Sequence, residues 1–267
     1  MVTSLIPTVW HNLTTRANTR ENLYKPPSSI LDSTIPSLYS ILATYSPFPS
    51  QSVVIGICSD GFPFVLDIGN PRAGSILLVG NNTFERSQIL RAICLSASII
   101  NRPDQVSLFI LTNKPNTYTE LTKYPNCQAI VSPYERSAGE LVIELAAIVE
   151  QRRTGRELGG SILLVVDDFD SINSILNDFS VYLNLKSIVK SGPQNGIWPI
   201  ITIRPDDIQS SRGQLLRSFG TYIFEKNENN RAALLDDSSI NQSELVYESN
   251  FNVIVGGRLF PISNLIV

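Results

Sequence analysis

One histidine, His11, and three cysteines are all that this 267-residue chain offers of the side chains that most often hold transition metals. His11 stands alone in an early polar stretch, so His-rich metal sites are excluded and any Ser-His-Asp scheme would hang on that single residue. Cys58, Cys94 and Cys127 are odd in number, far apart and set in apolar surroundings, the pattern of reduced buried thiols rather than of a disulfide frame or a zinc site, and it points to the cytoplasm. Charge is scarce as well. Asp, Glu, Lys and Arg make up 17% of the residues, and 21 basic against 24 acidic side chains leave a net charge of -3. No global positive field draws such a chain onto nucleic acid, and any DNA contact would be local. Long apolar runs are missing: none approaches the ~18 residues that cross a bilayer. The N-terminus, Met1-Val-Thr-Ser-Leu-Ile-Pro7, has neither the basic region nor the apolar core of a targeting segment, which predicts a chain with no address and no membrane span.

What is present is a large hydrophobic fraction, 43%, and a mean hydropathy of +0.06, which together predict a folded protein with a substantial core. Residues 1–50 are rich in Ser, Thr, Asn and Pro and predict a polar arm that ends in one short helix around Pro36 to Tyr45. The arm serves either as a tether to a neighbouring subunit or as a strap on its own chain. Residues 51–267 read as one domain. Val53-Val-Ile-Gly-Ile57 and Phe62-Pro-Phe-Val-Leu-Asp67, separated by Ser59-Asp-Gly61, predict a β-hairpin. Strands then alternate with helices. Ile76–Val79, Val106–Leu111, Ala129–Val131, Ile162–Val166, Trp198–Ile203 and Thr221–Phe224 are expected strands; Ser87–Ile100, Ala138–Glu157, Ile172–Val189 and Leu215–Phe219 are expected helical. That alternation predicts an α/β fold with a mainly parallel sheet covered by helices on both faces. The tail, Leu245–Tyr247, Val253–Val255 and Leu259–Phe260 around Gly256-Gly257, predicts small β elements on the sheet edge.

Two segments carry chemistry. Ile76-Leu-Leu-Val79 runs into Gly80-Asn-Asn-Thr-Phe-Glu-Arg-Ser87 and a helix, the placement of a Walker A phosphate loop, G-x-x-x-x-G-K-[ST]. Gly80 and Ser87 stand at the first glycine and the magnesium-binding hydroxyl, whereas Glu85 replaces the second glycine and Arg86 the lysine. Such a loop aims backbone N–H groups and a helix N-terminus at phosphate. A carboxylate at position 85 would repel an incoming triphosphate by about 4 kcal/mol per charge pair at about 4 Å and an effective dielectric of about 20, unless it turned outward. The planar Arg86 guanidinium cannot copy a compact ammonium between phosphates. The same residues also read as an ordinary strand-to-helix turn with Glu85 in the first helical turn, where the dipole favours it. The second segment, Ser161-Ile-Leu-Leu-Val-Val-Asp167-Asp168-Phe-Asp170, has the form of a Walker B strand, Asp167 ordering magnesium with Ser87 and Asp168 polarising water as general base. A strand end is equally a good cap for the helix after it.

In order along residues 53–226, these segments resemble the FtsK/SpoIIIE and HerA-type motor ATPases, which include the tandem ATPase domains of type VII secretion. The hairpin Val54-Ile-Gly-Ile-Cys-Ser-Asp-Gly-Phe-Pro-Phe-Val-Leu-Asp67 is similar to that family's "G-x-D-x-x-G-x-P-x-x-x-D". Leu111-Thr-Asn-Lys114 with Glu120-Leu-Thr-Lys-Tyr-Pro125 resembles "I-D-x-K" and "L-x-x-Y-x-x-L-P-H", and Ile148-Val-Glu-Gln-Arg-Arg153 resembles "E-M-x-R-R". Asp167-Asp-Phe-Asp170 resembles "D-E-x-x-D", Gly196-Ile-Trp-Pro-Ile-Ile-Thr-Ile-Arg-Pro205 "G-I-H-L-I-x-A-T-Q-R-P", and Gly220-Thr-Tyr-Ile-Phe224 "T-R-I-x-F". The resemblance implies a RecA-like P-loop NTPase fold, with ATP and magnesium as the cofactors such a loop would take at Gly80, Asn81, Asn82, Thr83, Glu85, Arg86 and Ser87. The departures fall on the chemistry: Asp168 for the catalytic Glu, Ile203 for the Gln sensor, Tyr222 for the arginine of "T-R-I". They imply a catalytically degenerate domain, a pseudo-ATPase that binds a protein partner, either an active ATPase of the same family or a secreted substrate, within a translocation or secretion system, as part of an oligomer or alone. The alternative is an active ATP-driven translocase of DNA or protein. Trp10 and Trp198 read as packing residues, and Arg152, Arg153 and Arg156 as a solvated helix end with DNA contact the lesser reading.

Overall fold

The computed structural model describes residues 36–156, 159–168, 177–205, 218–226 and 250–267. Trp10, His11, Asp170, the Leu215–Phe219 helix apart from its last two residues and the Leu245–Tyr247 element lie outside the described residues. Among the described residues ten strands form a single sheet. They are β1 (Ser52–Cys58), β2 (Pro63–Asp67), β3 (Ile76–Val79), β4 (Val106–Thr112), β5 (Cys127–Val131), β6 (Ser161–Asp167), β7 (Ile197–Ile203), β8 (Thr221–Glu225), β9 (Phe251–Val255) and β10 (Arg258–Ser263), in the spatial order β2-β1-β10-β9-β8-β3-β7-β6-β4-β5. The six strands from β8 to β5 run parallel. The other four are antiparallel and form a wing.

The parallel strands are apolar on both faces, because helices cover both. Along β3, Ile76 and Leu78 enter one core with α1 (Leu38–Tyr45) and α2 (Thr83–Ile100). Leu77 and Val79 enter the other, with α3 (Arg136–Arg153) and α4 (Phe179–Ser191). The α/β architecture read from the alternation is therefore the observed one. Leu38, Ile41 and Leu42 of α1 are buried in the first core, and Ser37 bridges Ile266, so this part of the polar arm packs with the sheet. Trp198 on β7 is buried, as a packing residue should be.

Two expectations need correction. β9 and β10 are not edge elements: they join through Gly256 and Gly257, both at positive φ, and β10 pairs with β1, so that the early hairpin supplies the edge and the tail fills the gap between hairpin and parallel core. The helix after β3 begins at Thr83 and not at Ser87. Asn82 accepts hydrogen bonds on its side chain from the N–H groups of Phe84 (3.0 Å) and Glu85 (3.4 Å), and this cap starts the helix one turn early.

Arg152 is not part of a solvated cluster, since its guanidinium donates to the carbonyls of Gly160, Asn195 and Gly196 and ties together the two loops that lead into β6 and β7. Arg153 pairs with Glu150 on the surface. The three cysteines are free; burial pushes the Cys58 thiol up to about 12 and the Cys94 thiol up further, which leaves both protonated and inert.

Candidate functional site

The chain leaves β3 toward β4 on one side of the sheet and β7 toward β8 on the other, so β3 lies at a switch in strand order, and in open α/β sheets the crevice beyond such a strand is the usual ligand position. The residues at this edge come from four strand ends: Gly80 after β3, Asp167 and Asp168 at β6, Ile203 and Arg204 at β7, and Glu225 at β8.

The β3–α2 turn is short, with only Gly80, Asn81 and Asn82 between strand and helix. Gly80 N–H donates to Ile203 O at 3.2 Å. The N–H groups of Asn81 and Asn82 donate to the two carboxylate oxygens of Glu225, at 2.9 and 2.8 Å. Thr83 opens the helix, and Glu85 lies in its first turn, as the strand-to-helix-turn reading has it. Burial, with the neighbouring Glu225 charge second, pushes the Glu85 carboxyl above the usual range. Arg86 is 1% exposed and folds inward: its guanidinium donates to Gly80 O and, at 3.4 Å, to Ile203 O. Ser87 follows on the same helix and is half-buried.

Asp167 sits 4% exposed among hydroxyls. Tyr118 O–H donates to its Oδ2 at 2.9 Å, and the Thr112 and Thr202 hydroxyls stand at 3.5 and 3.4 Å. Burial raises the Asp167 pKa, the Tyr118 bond opposes that, Asp168 adds to it, and Arg86 and Lys114 lower it. Asp168 takes a positive φ of 85°, which Asp tolerates better than most residues, while its N–H donates to Thr202 Oγ1 at 2.6 Å. Its Oδ1 is buried with no hydrogen-bond partner among the described residues. Ile203 is buried and Tyr222 half-buried, neither offering a guanidinium or an amide to this edge. Among the described residues no group of three or more His, Cys, Asp or Glu side chains could hold a metal.

The structure thus brings Gly80, Asn81, Asn82, Arg86, Asp167 and Asp168 to one edge, as their motifs predict. Four contributors were missed. Glu225 ends a short apolar strand and carries no motif. Tyr118 lies in a 3₁₀ helix, Pro115–Lys123, and is itself marked by no motif. Thr112 stands where "I-D-x-K" has its acid, a signal present in the sequence, and Thr202 occupies the threonine of the "A-T-Q" pattern. Three aromatic side chains face solvent in or just before the first turn of a helix that follows a parallel strand: Phe84 (68% exposed), Tyr134 (71%) and Phe179 (72%).

No family model matches this chain. Over 166 residues, 52% of its length, it is 22% identical to the ESX-5 secretion system protein EccC5 of Mycobacterium marinum, of which it spans 12%. EssC (ATPases 2 and 3) from Geobacillus thermodenitrificans superposes with a TM-score of 0.67 at 13% identity, over 91% of this chain and 45% of that one. Thermomonospora curvata EccC (ATPases 2 and 3), solved in complex with a signal sequence peptide, superposes with a TM-score of 0.63 at 15% identity, over 88% and 44%. The chain therefore spans less than half of each of these proteins. The resemblance read from its motifs and the likeness of its architecture converge, and its fold is the RecA-like P-loop ATPase fold of the type VII secretion ATPase domains.

Proposed function

We propose that this chain is a catalytically degenerate ATPase domain that works without nucleotide, as a protein-binding or assembly component of a secretion or translocation system in the cytoplasm. The observation that carries the reading is the position of Arg86. In a phosphate loop the cation after the turn reaches outward to the terminal phosphates. Here it is buried and bonded to main-chain carbonyls, so it serves the fold. The magnesium side argues the same way, because the Asp167 carboxylate is wrapped by three hydroxyls and Glu85 adds negative charge at the mouth. ATP and magnesium do not fit this set of donors. Asp168 remains the weak general-base position, and Ser87 with Asp167 the metal pair of an active relative; with Arg86 turned inward neither has a phosphate to act on.

The partner side rests on the three exposed aromatics Phe84, Tyr134 and Phe179, since aromatic residues are enriched in protein interfaces and exposed aromatic side chains suit a protein better than a small polar ligand. Two of the similar structures hold ATPase domains in tandem and one holds a signal sequence peptide. The partner expected here is an ATPase domain of the same fold or a secreted segment. No helix of the described residues is long and apolar enough to cross a membrane. Calorimetric titration with ATP and magnesium is the test. The expected result is no binding at millimolar nucleotide, weaker than about -4 kcal/mol. Micromolar binding, or phosphate release that rises with added duplex DNA, refutes the reading in favour of an active translocase.

A further inference from the structure

The β3–α2 turn already holds an anion. The Asn81 and Asn82 N–H groups converge on Glu225, one to each carboxylate oxygen, and they do so at the amino end of an 18-residue helix, where negative charge is favoured. Gly80 shows how tightly the carboxylate is seated. A Cβ added there would lie 2.6 Å from Glu225 Oε1 and 2.8 Å from its Cδ, and Gly80 has no positive φ that would call for glycine on conformational grounds. The missing side chain at position 80 makes room for Glu225. Two further donors of the first helical turn are taken by a side chain of the turn itself, because Asn82 accepts from Phe84 and Glu85. Glu225 ends β8, whose other neighbour is β9, so its carboxylate joins the helix start to the strand where the parallel core meets the antiparallel wing.

We propose that Glu225 is a lock in cis, a carboxylate that closes the turn to external anions and ties β8 to the amino end of α2. The proposal concerns the N–H groups, whereas the proposed function rests on Arg86, so the two can fail separately.

The test uses the full chain, ¹⁵N-labelled, as wild type and as Glu225→Ala, Glu225→Gln and Gly80→Ala, with amide exchange followed at Asn81 and Asn82. Both Glu225 variants are expected to exchange at these two amides about tenfold faster or more, the factor that corresponds to about 1.4 kcal/mol. Amides in the middle of α2 should be unmoved. Gly80→Ala reaches the same lock by pushing the carboxylate aside, and it should speed the same two amides while adding nothing in a Glu225→Ala background. Inorganic phosphate at tens of millimolar is the external probe, and it should slow exchange at Asn81 and Asn82 in Glu225→Ala and leave wild type unchanged. Equal exchange in wild type and variants, or an equal phosphate effect in both, overturns the lock. If Glu225→Ala does not fold, Glu225→Gln and Gly80→Ala decide the same question. ATP binding by a wild type whose two amides are protected before nucleotide is added and exchange no more slowly after it would refute the proposed function and leave the lock standing; absent ATP binding with unprotected amides would do the reverse.

Discussion

Replacing Arg86 by alanine removes a charge that the fold has drawn almost wholly out of water. The bond to Gly80 O is charge-assisted and buried, and losing it costs about 1.5–3 kcal/mol. The longer contact to Ile203 O, at 3.4 Å, adds about 0.5 kcal/mol. Truncating the buried aliphatic stem leaves a hole worth about 1–2 kcal/mol. Removing the cation also takes away one of the two positive charges that hold the Asp167 pKa down, so the ionised Asp167 is held less well. The expected loss is about 3–5 kcal/mol, a large part of the 5–15 kcal/mol typical of a domain. Arg86→Lys keeps the charge and loses the planar fork, and about 1–2 kcal/mol should go with it. Urea unfolding followed by circular dichroism measures both, with an unchanged slope required for the comparison. An Arg86→Ala protein within about 1 kcal/mol of wild type would mean that the guanidinium is free to leave its carbonyls, and the structural role argued for it would be wrong.

Tyr118→Phe removes the hydroxyl that donates to Asp167 inside the core, at an expected cost of about 1–3 kcal/mol near neutral pH. Since burial raises the folded-state pKa of Asp167 above its unfolded value, the ionised form is a liability that grows as pH rises through that folded pKa and disappears below the unfolded one. The Tyr118 bond lowers that pKa, so the gap between Tyr118→Phe and wild type should narrow as the pH of a urea series falls toward about 4; a gap that widens on acidification would contradict the assignment. Phe84→Ser, Tyr134→Ser and Phe179→Ser together should change the unfolding free energy by under about 1 kcal/mol while abolishing co-purification with a tandem ATPase domain from the same cell, and retained capture would move the docking face elsewhere. Restoring the motif residues alone, Glu85→Gly with Arg86→Lys, should yield no ATP binding by calorimetry, because Glu225 and the Asn82 cap still occupy the N–H groups of the turn; micromolar binding by that double variant would show the turn to be open.

The sheet and its helices were legible because their signals are local. β3, β6 and β7 are apolar runs bounded by polar residues, and α3 shows its Leu141, Leu145 and Val149 face at helical spacing. The start of α2 was also legible and was masked by the motif: Asn82 followed three residues later by Glu85 is a helix-capping pattern, and counting from Gly80 by phosphate-loop spacing places the start one turn too late. The position of β9 and β10 was not legible. It depends on β10 pairing with β1, a contact between segments some two hundred residues apart, and the tail's composition is the same whether it lies at an edge or within a sheet.

The site was legible by half for the same reason. Its motif residues lie on strand ends that the alternation places at one edge, yet what each does there depends on a side chain that no motif marks. Glu225 reaches Asn81 across 144 residues of sequence, and Tyr118 reaches Asp167 across 49. A motif therefore says which residues stand where its pattern has others, and not where their side chains point. Arg86 read in line invites comparison with a lysine facing phosphate. Folded, it faces Gly80 O and Ile203 O, because the helix starts at Thr83, close behind β3, and the last carbonyl of β7 accepts from the guanidinium as well as from Gly80 N–H. The Asn82 cap and the helical position of Glu85 thus go together: with position 85 in the first turn of the helix, the Asn82 side chain bonds the Phe84 and Glu85 N–H groups, and the Glu225 carboxylate from the neighbouring strand bonds those of Asn81 and Asn82.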